Sequence, residues 1–210
     1  MPILMCQYYV SDSAARNREL ELCYRENLKN SAISEFVWFV EESLRDRLPS
    51  WLQGRIVPLP GRLKYADAFR ASQSGQLHIL ANSDIILSEQ AVRLIDAHLQ
   101  PDEAYCLSRW DCDPKDELNL DKACLWQYYG RSQDVWCWRG ALECRADFAL
   151  GVPGCDNRIA HELSAVRRVS NPSLSIKTLH VHSSSVRSYT RATVIPPPYR
   201  DVRATALPAL

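Results

Sequence analysis

Three stretches of the chain carry residue types that could do chemistry together. Asn82-Ser83-Asp84 ends one compact apolar run, residues 77–81, and precedes another, Ile85-Ile86-Leu87. A carboxylate at the end of a buried strand can hold a hard divalent cation that also binds a diphosphate, although a turn-forming or helix-capping Asp has the same sequence appearance. His180 and His182 would lie about 7 Å apart on one face of an extended strand. Two imidazoles so placed can give a metal one ligand or two, and surface histidines at the start of a polar tail would share the spacing. If a neighbouring strand supplied Asp84, a carboxylate and imidazoles with open positions would suit a transition metal such as manganese.

Asp134 and Asp156 are carboxylates in aromatic or turn-rich settings rather than on charged helix faces. Moving a group onto a hydroxyl requires a general base within hydrogen-bond reach of that hydroxyl. A carboxylate at a glycine-turned helix start can be exposed and held still, and it can equally be an ordinary N-cap. Beside Asp134, Trp136 and Trp138 could offer a flat platform to a sugar ring or simply fill a core.

The elements that must position these groups follow from hydrophobic periodicity. Residues 3–9 read as a buried strand, followed by a helix capped by Ser11, Asp12 or Ser13 with Leu20, Cys23, Tyr24 and Leu28 on its apolar face. Residues 35–40, 55–59, 77–81 and 104–108 read as further strands, and Ser88 opens an amphipathic helix with Val92, Leu94, Ile95 and Leu99. Strand, helix, strand at the outset predicts an α/β fold with a mostly parallel central sheet flanked by helices. Ligands of such sheets bind beyond the carboxyl ends of strands, where residues 82–84 lie. Residues 111–121 read as a solvated acidic loop. Gly151, Pro153 and Gly154 force a turn before a helix with Asp156 as its N-cap and Ile159, Leu163 and Val166 on its packed face. From Leu174 the even positions through His182 would share one strand face, and the proline-rich end suits an extended surface segment.

Composition bounds the function. The 210 residues, 46% hydrophobic and 24% charged, suffice for one domain burying roughly 70% of its unfolded surface. Lys plus Arg (25) equals Asp plus Glu (25), so no global positive field draws the chain to nucleic acid or an anionic membrane. No apolar run is long enough for a transmembrane segment and no signal peptide is evident, which sets the expectation of a cytoplasmic protein. The eight cysteines lack CxxC spacing and several sit in apolar runs, so reduced, buried thiols are expected over disulfides or zinc.

Read in order, LMCQYY, GRLKYADAF, ILANSDI, SQDVW, GCDNRIAHEL and NPS...KTLHVH resemble the small single-domain glycosyltransferases of the A-type fold (GT-A) encoded by chlorella viruses and bacterial polysaccharide clusters. The resemblance spans almost the whole chain. It implies a GT-A domain with a nucleotide-binding half (1–110), an acceptor and donor-sugar half (111–190) and an extended tail (191–210). It implies an inverting hexosyl- or deoxyhexosyltransferase of polysaccharide biosynthesis, using a nucleotide-sugar, a UDP-sugar foremost, and a glycan or lipid-linked acceptor. Gln7, Tyr8, Tyr9, Arg62 and Asp67 would line the nucleotide pocket together with Asn82 and Asp84. Asp84 matches the last acid of a DxD element and, with His180 or His182, would hold Mn2+ or Mg2+. Asp134 would hold sugar hydroxyls and Asp156 would be the base, with Asp134 its rival. The sequence departs from the pattern at Asn82, where the first acid of DxD is expected. The alternatives are a nucleotidyltransferase, whose glycine-rich loop is missing from YYVSDSAARNR, and a degenerate nucleotide- or glycan-binding relative.

Overall fold

The computed structural model describes residues 1–112, 118–184, 186 and 194–208. Its centre is a seven-stranded sheet built from β1 (Pro2–Tyr8), β2 (Glu35–Glu41), β3 (Arg55–Leu59), β4 (Leu77–Ala81), β6 (Glu103–Leu107), β9 (Val135–Arg139) and β10 (Arg168–Ser170), in the order β10-β6-β9-β4-β1-β2-β3. All neighbours pair in parallel except at β9, which runs antiparallel to both β4 and β6. All seven residues of β1 are buried, which is why this strand reads as a continuous apolar run rather than an alternating one. Ile3 and Met5 point to the side covered by α2 (Tyr65–Arg70) and α4 (Cys155–Leu163). Leu4 and Cys6 point to the opposite side, toward α3 (Glu89–His98) and α1 (Ala14–Leu28) respectively.

From β1 the chain first builds outward through β2 and β3 and then returns to place β4 on the other flank of β1. The strand order therefore reverses between β1 and β4, and the carboxyl ends of those two strands open a crevice. Beyond Asp84 the chain leaves the large sheet and enters a second, four-stranded one in the order β5-β11-β7-β8: β5 (Ile85–Leu87), β11 (Thr178–Val181), β7 (Trp110–Cys112) and β8 (Cys124–Leu125). Asp84 sits at the junction of the two sheets.

Ser13 caps α1 by accepting from the Arg16 N–H, and Ser88 caps α3 by accepting from Ala91. The structure corrects other expectations. Trp136 and Trp138 are fully buried and meet Tyr65 and Phe69 edge to face, so they fill the core and offer no platform. The N-cap of α4 is Gly154 at φ 84°, not Asp156, which lies in the first helical turn. This helix ends at Leu163 and Val166 is 40% exposed, so the packed face stops one turn earlier than its spacing suggests. Leu174 is exposed and only Thr178–Val181 is strand. Asp111 belongs to β7 rather than to a loop, while residues 113–117 of that expected loop lie outside the described residues. All eight cysteines are free thiols, six of them buried. Among the described residues no helix is long and apolar enough to cross a membrane. Residues 194–208 run in an extended manner over α4 and the turn at residues 129–131: Ile195 donates to Pro153, Arg200 to Asn157 and Val202 to Gly130 through their backbones.

Candidate functional site

Strand register assembles the first cluster. β5 and β11 pair antiparallel with His180 opposite Ile85, and the Val181 N–H donates to the Asp84 carbonyl at 2.9 Å. That pairing draws the residues flanking Val181, His180 and His182, toward the Asp84 side chain. His180 Nε2 is 3.4 Å and His182 Nδ1 3.7 Å from Asp84 Oδ2. One ligand atom from each of the three residues lies within 4.8 Å of the others. One carboxylate and two imidazoles, with the remaining positions open, form a donor set that fits a divalent transition metal.

β7 lies on the other side of β11 in parallel, with His180 directly opposite Asp111. Asp111 Oδ1 is 2.7 Å from His180 Nδ1, which fixes the ring so that Nε2 faces Asp84, the arrangement by which outer carboxylates orient metal-binding histidines. Burial alone would lower the His180 pKa, but the hydrogen bonds to Asp111 and Asp84 outweigh it and raise it to about 9. For His182, burial followed by the charge of Arg16 lowers the pKa. Burial would raise the Asp84 pKa; the hydrogen bond and charge of His180, then those of Arg16, hold it well below the usual carboxylate range.

Arg16, in the first turns of α1, donates from Nη2 to Asp84 Oδ2 and from Nη1 to Glu19 Oε2 at 3.0 Å, and its Nη2 reaches the Tyr9 hydroxyl at 3.5 Å. Glu19 also accepts from the backbone and hydroxyl groups of Ser183 and Ser184. The segment leaving His182 is thereby tied to α1.

A second cluster faces the first. Asp134 precedes β9, and its two oxygens accept from Asn82 Nδ2 at 2.7 Å and Arg109 Nη1 at 3.3 Å. Arg109 Nε also donates to Asp111 at 3.1 Å, so a continuous chain of contacts runs from Asp84 through His180, Asp111 and Arg109 to Asp134. Asp156 stands across from Asp134 on α4. Desolvation first, and then the negative charge of Asp134, push its pKa above the ordinary carboxylate range.

Both clusters line one cleft of about 720 Å³. Of the residues singled out in the sequence, Gln7, Tyr9, Arg62, Asn82, Asp84, Asp134, Asp156, His180 and His182 line it. Gln7 is held from behind, its Oε1 accepting from the Leu63 N–H and its Nε2 donating to Glu41. Arg62 donates to the Leu150 and Gly151 carbonyls and so shapes the wall next to Asp156. Two residues do not line the cleft. Tyr8 points the opposite way from its strand neighbours Gln7 and Tyr9 and packs on Tyr24 with ring centres 5.5 Å apart. Asp67 lies in the first turn of α2, accepting from the Lys64 N–H and pairing with Arg70. Arg16, Glu19, Arg109 and Asp111 escaped sequence reasoning. The only signal was the alternation of Arg109 and Asp111 about Trp110, because charged residues near a helix start or in an acidic segment ordinarily read as solvated.

Compared with known protein families and with curated proteins, the chain matches no family model and no curated sequence.

Proposed function

We propose that this cleft binds a nucleoside-diphosphate sugar and transfers the sugar, with inversion, to a hydroxyl of a glycan or lipid-linked acceptor, on a domain of the GT-A type. The observation that carries the proposal is the meeting of Asp84, His180 and His182 at the β1/β4 crevice, with Asp156 lining the same cavity. A Mn2+ or Mg2+ ion held by Asp84 and the histidines would neutralise charge on the leaving diphosphate. The protein's own groups do the rest. Arg16, Arg62 and Arg109 line the cleft and bring fixed positive charge to an anionic donor. Asp134, held in place by Asn82 and Arg109, can accept hydrogen bonds from donor hydroxyls. Asp156 takes the proton of the acceptor hydroxyl as the new C–O bond forms and the anomeric carbon–phosphate oxygen bond breaks. Its raised pKa places it closer to neutrality than an ordinary Asp, as a general base requires, whereas both oxygens of Asp134 already accept strong donors.

The same donor set also suits Fe(II); the near match of three arginines and four aspartates in the cleft lining suits a cation and a phosphate-bearing anion bound together. Against a degenerate binder, Asn82 has work in the site as the donor that holds Asp134. Against a nucleotidyltransferase, residues 8–18, which join β1 to α1 and open that helix, contain no glycine to admit a triphosphate against the backbone.

A screen of nucleotide-sugars with Mn2+ should find one from which nucleoside diphosphate is released, and that nucleoside diphosphate should raise the melting temperature by binding the native state alone. No thermal shift with any nucleotide, with or without metal, overturns the reading.

A further inference from the structure

Asp84 Oδ2, the oxygen that both histidines face, already has a cation on it. Arg16 Nη2 donates to that same atom. The side chains of Arg16 and Asp84 are 8% and 12% exposed, so solvent screens the pair weakly. The guanidinium is anchored at its other end, where Nη1 meets Glu19, and it lines the cleft. Glu19 is in turn held by Ser183 and Ser184. The anchor can therefore stay in place while Nη2 changes partner.

We infer that Arg16 occupies the metal's carboxylate in the free protein and moves its Nη2 to the diphosphate of the incoming donor, so that metal and diphosphate bind cooperatively. The inference rests on the function proposed above. A divalent cation arriving alone must compete with Arg16 for Asp84 and meets like charge at close range. A diphosphate arriving first gives the guanidinium a second anion, one that planar, forked donors suit, and frees Asp84. Because binding linkage is reciprocal, metal and diphosphate strengthen each other by one common factor, typically 5–150-fold.

Arg16→Gln separates this role from a structural one by the sign of two binding constants. Isothermal titration calorimetry with Mn2+ alone should show the variant binding about 10-fold more tightly than wild type. Titration with uridine diphosphate in a chelator should show it binding about 10-fold more weakly. Loss of both affinities, or no change in either, overturns the inference and leaves nucleotide binding by the wild type, and hence the proposed function, standing. Should Arg16→Gln fail to fold, the wild type decides: corrected for chelation in solution, its Mn2+ affinity should rise about 10-fold with saturating uridine diphosphate, and equal affinities overturn the inference. A wild type that binds neither Mn2+ nor any nucleoside diphosphate overturns both proposals.

Discussion

Asp156 is a carboxyl group that folding makes harder to ionise. Its folded pKa lies above the unfolded value because burial and Asp134 penalise the charge. Its contribution to stability is therefore full below the unfolded pKa of ~3.9 and is lost as pH rises through the higher folded value. Asp156→Asn removes that penalty. The variant should melt together with wild type near pH 4 and outlast it at pH 8 by ~1 kcal/mol, or ~2–4 °C for a chain of this size, while turnover collapses. Melting curves across that range check it, and a difference that does not grow with pH contradicts it. Asp111 acts one residue further from the candidate metal site, through His180. Asp111→Ala leaves His180 free to turn and should weaken Mn2+ binding ~10–100-fold, read by calorimetry; unchanged affinity would dismiss the orienting role. At this scale the sequence makes acids and imidazoles legible where they interrupt apolar runs, as Asp84 does after residues 77–81. Arg16 and Glu19 were not legible, since three-residue spacing on a helix describes an exposed ion pair as well as a buried one, and only the tertiary neighbours distinguish them.

Elements divide along the same line. β3 and β4 begin and end where the sequence places them, at residues 55–59 and 77–81; every residue of β4 is buried, His78 included, whereas β3 is the sheet's edge and buries only Leu59. The short strands β5, β7, β8 and β10 span two or three residues each, too few for a period, and three of them make up most of the sheet that gathers Asp84, His180 and His182. What joins Asp84 to His180 is thus a pairing register, a property of two distant segments together. The helix carrying Asp156 depends on another such pairing. Gly154 adopts φ +84°, and a Cβ there would come within 2.7 Å of the Ile195 carbonyl and 2.9 Å of the Tyr199 hydroxyl. Gly154→Ala should cost ~1–3 kcal/mol from strain and displacement together, and reduce kcat more than nucleotide affinity, because Asp156 lies two residues beyond. Thermal melts with steady-state kinetics and nucleotide titrations test this, and equal losses in kcat and affinity would argue that the cap does not aim the carboxylate.

Over the whole molecule, a formal net charge of zero hides a strong local concentration: arginines and aspartates face one another around a single cavity in nearly matched numbers. A metal and a diphosphate together add little net charge to such a balance, whereas either one alone disturbs it. Bulk composition could exclude nucleic-acid and membrane partners only as a global tendency, and said nothing of this internal arrangement. The segment at residues 194–208 adds a dimension of time. It leaves the ribosome after every element it fastens, binding to the flank of α4 and to the turn at residues 129–131. During synthesis, the half of the cleft built by β1 and β4 can therefore mature before the wall bearing Asp156 is secured. If the cleft acts as proposed, a nascent chain whose 194–208 segment is not yet fastened would sequester donor without spending it.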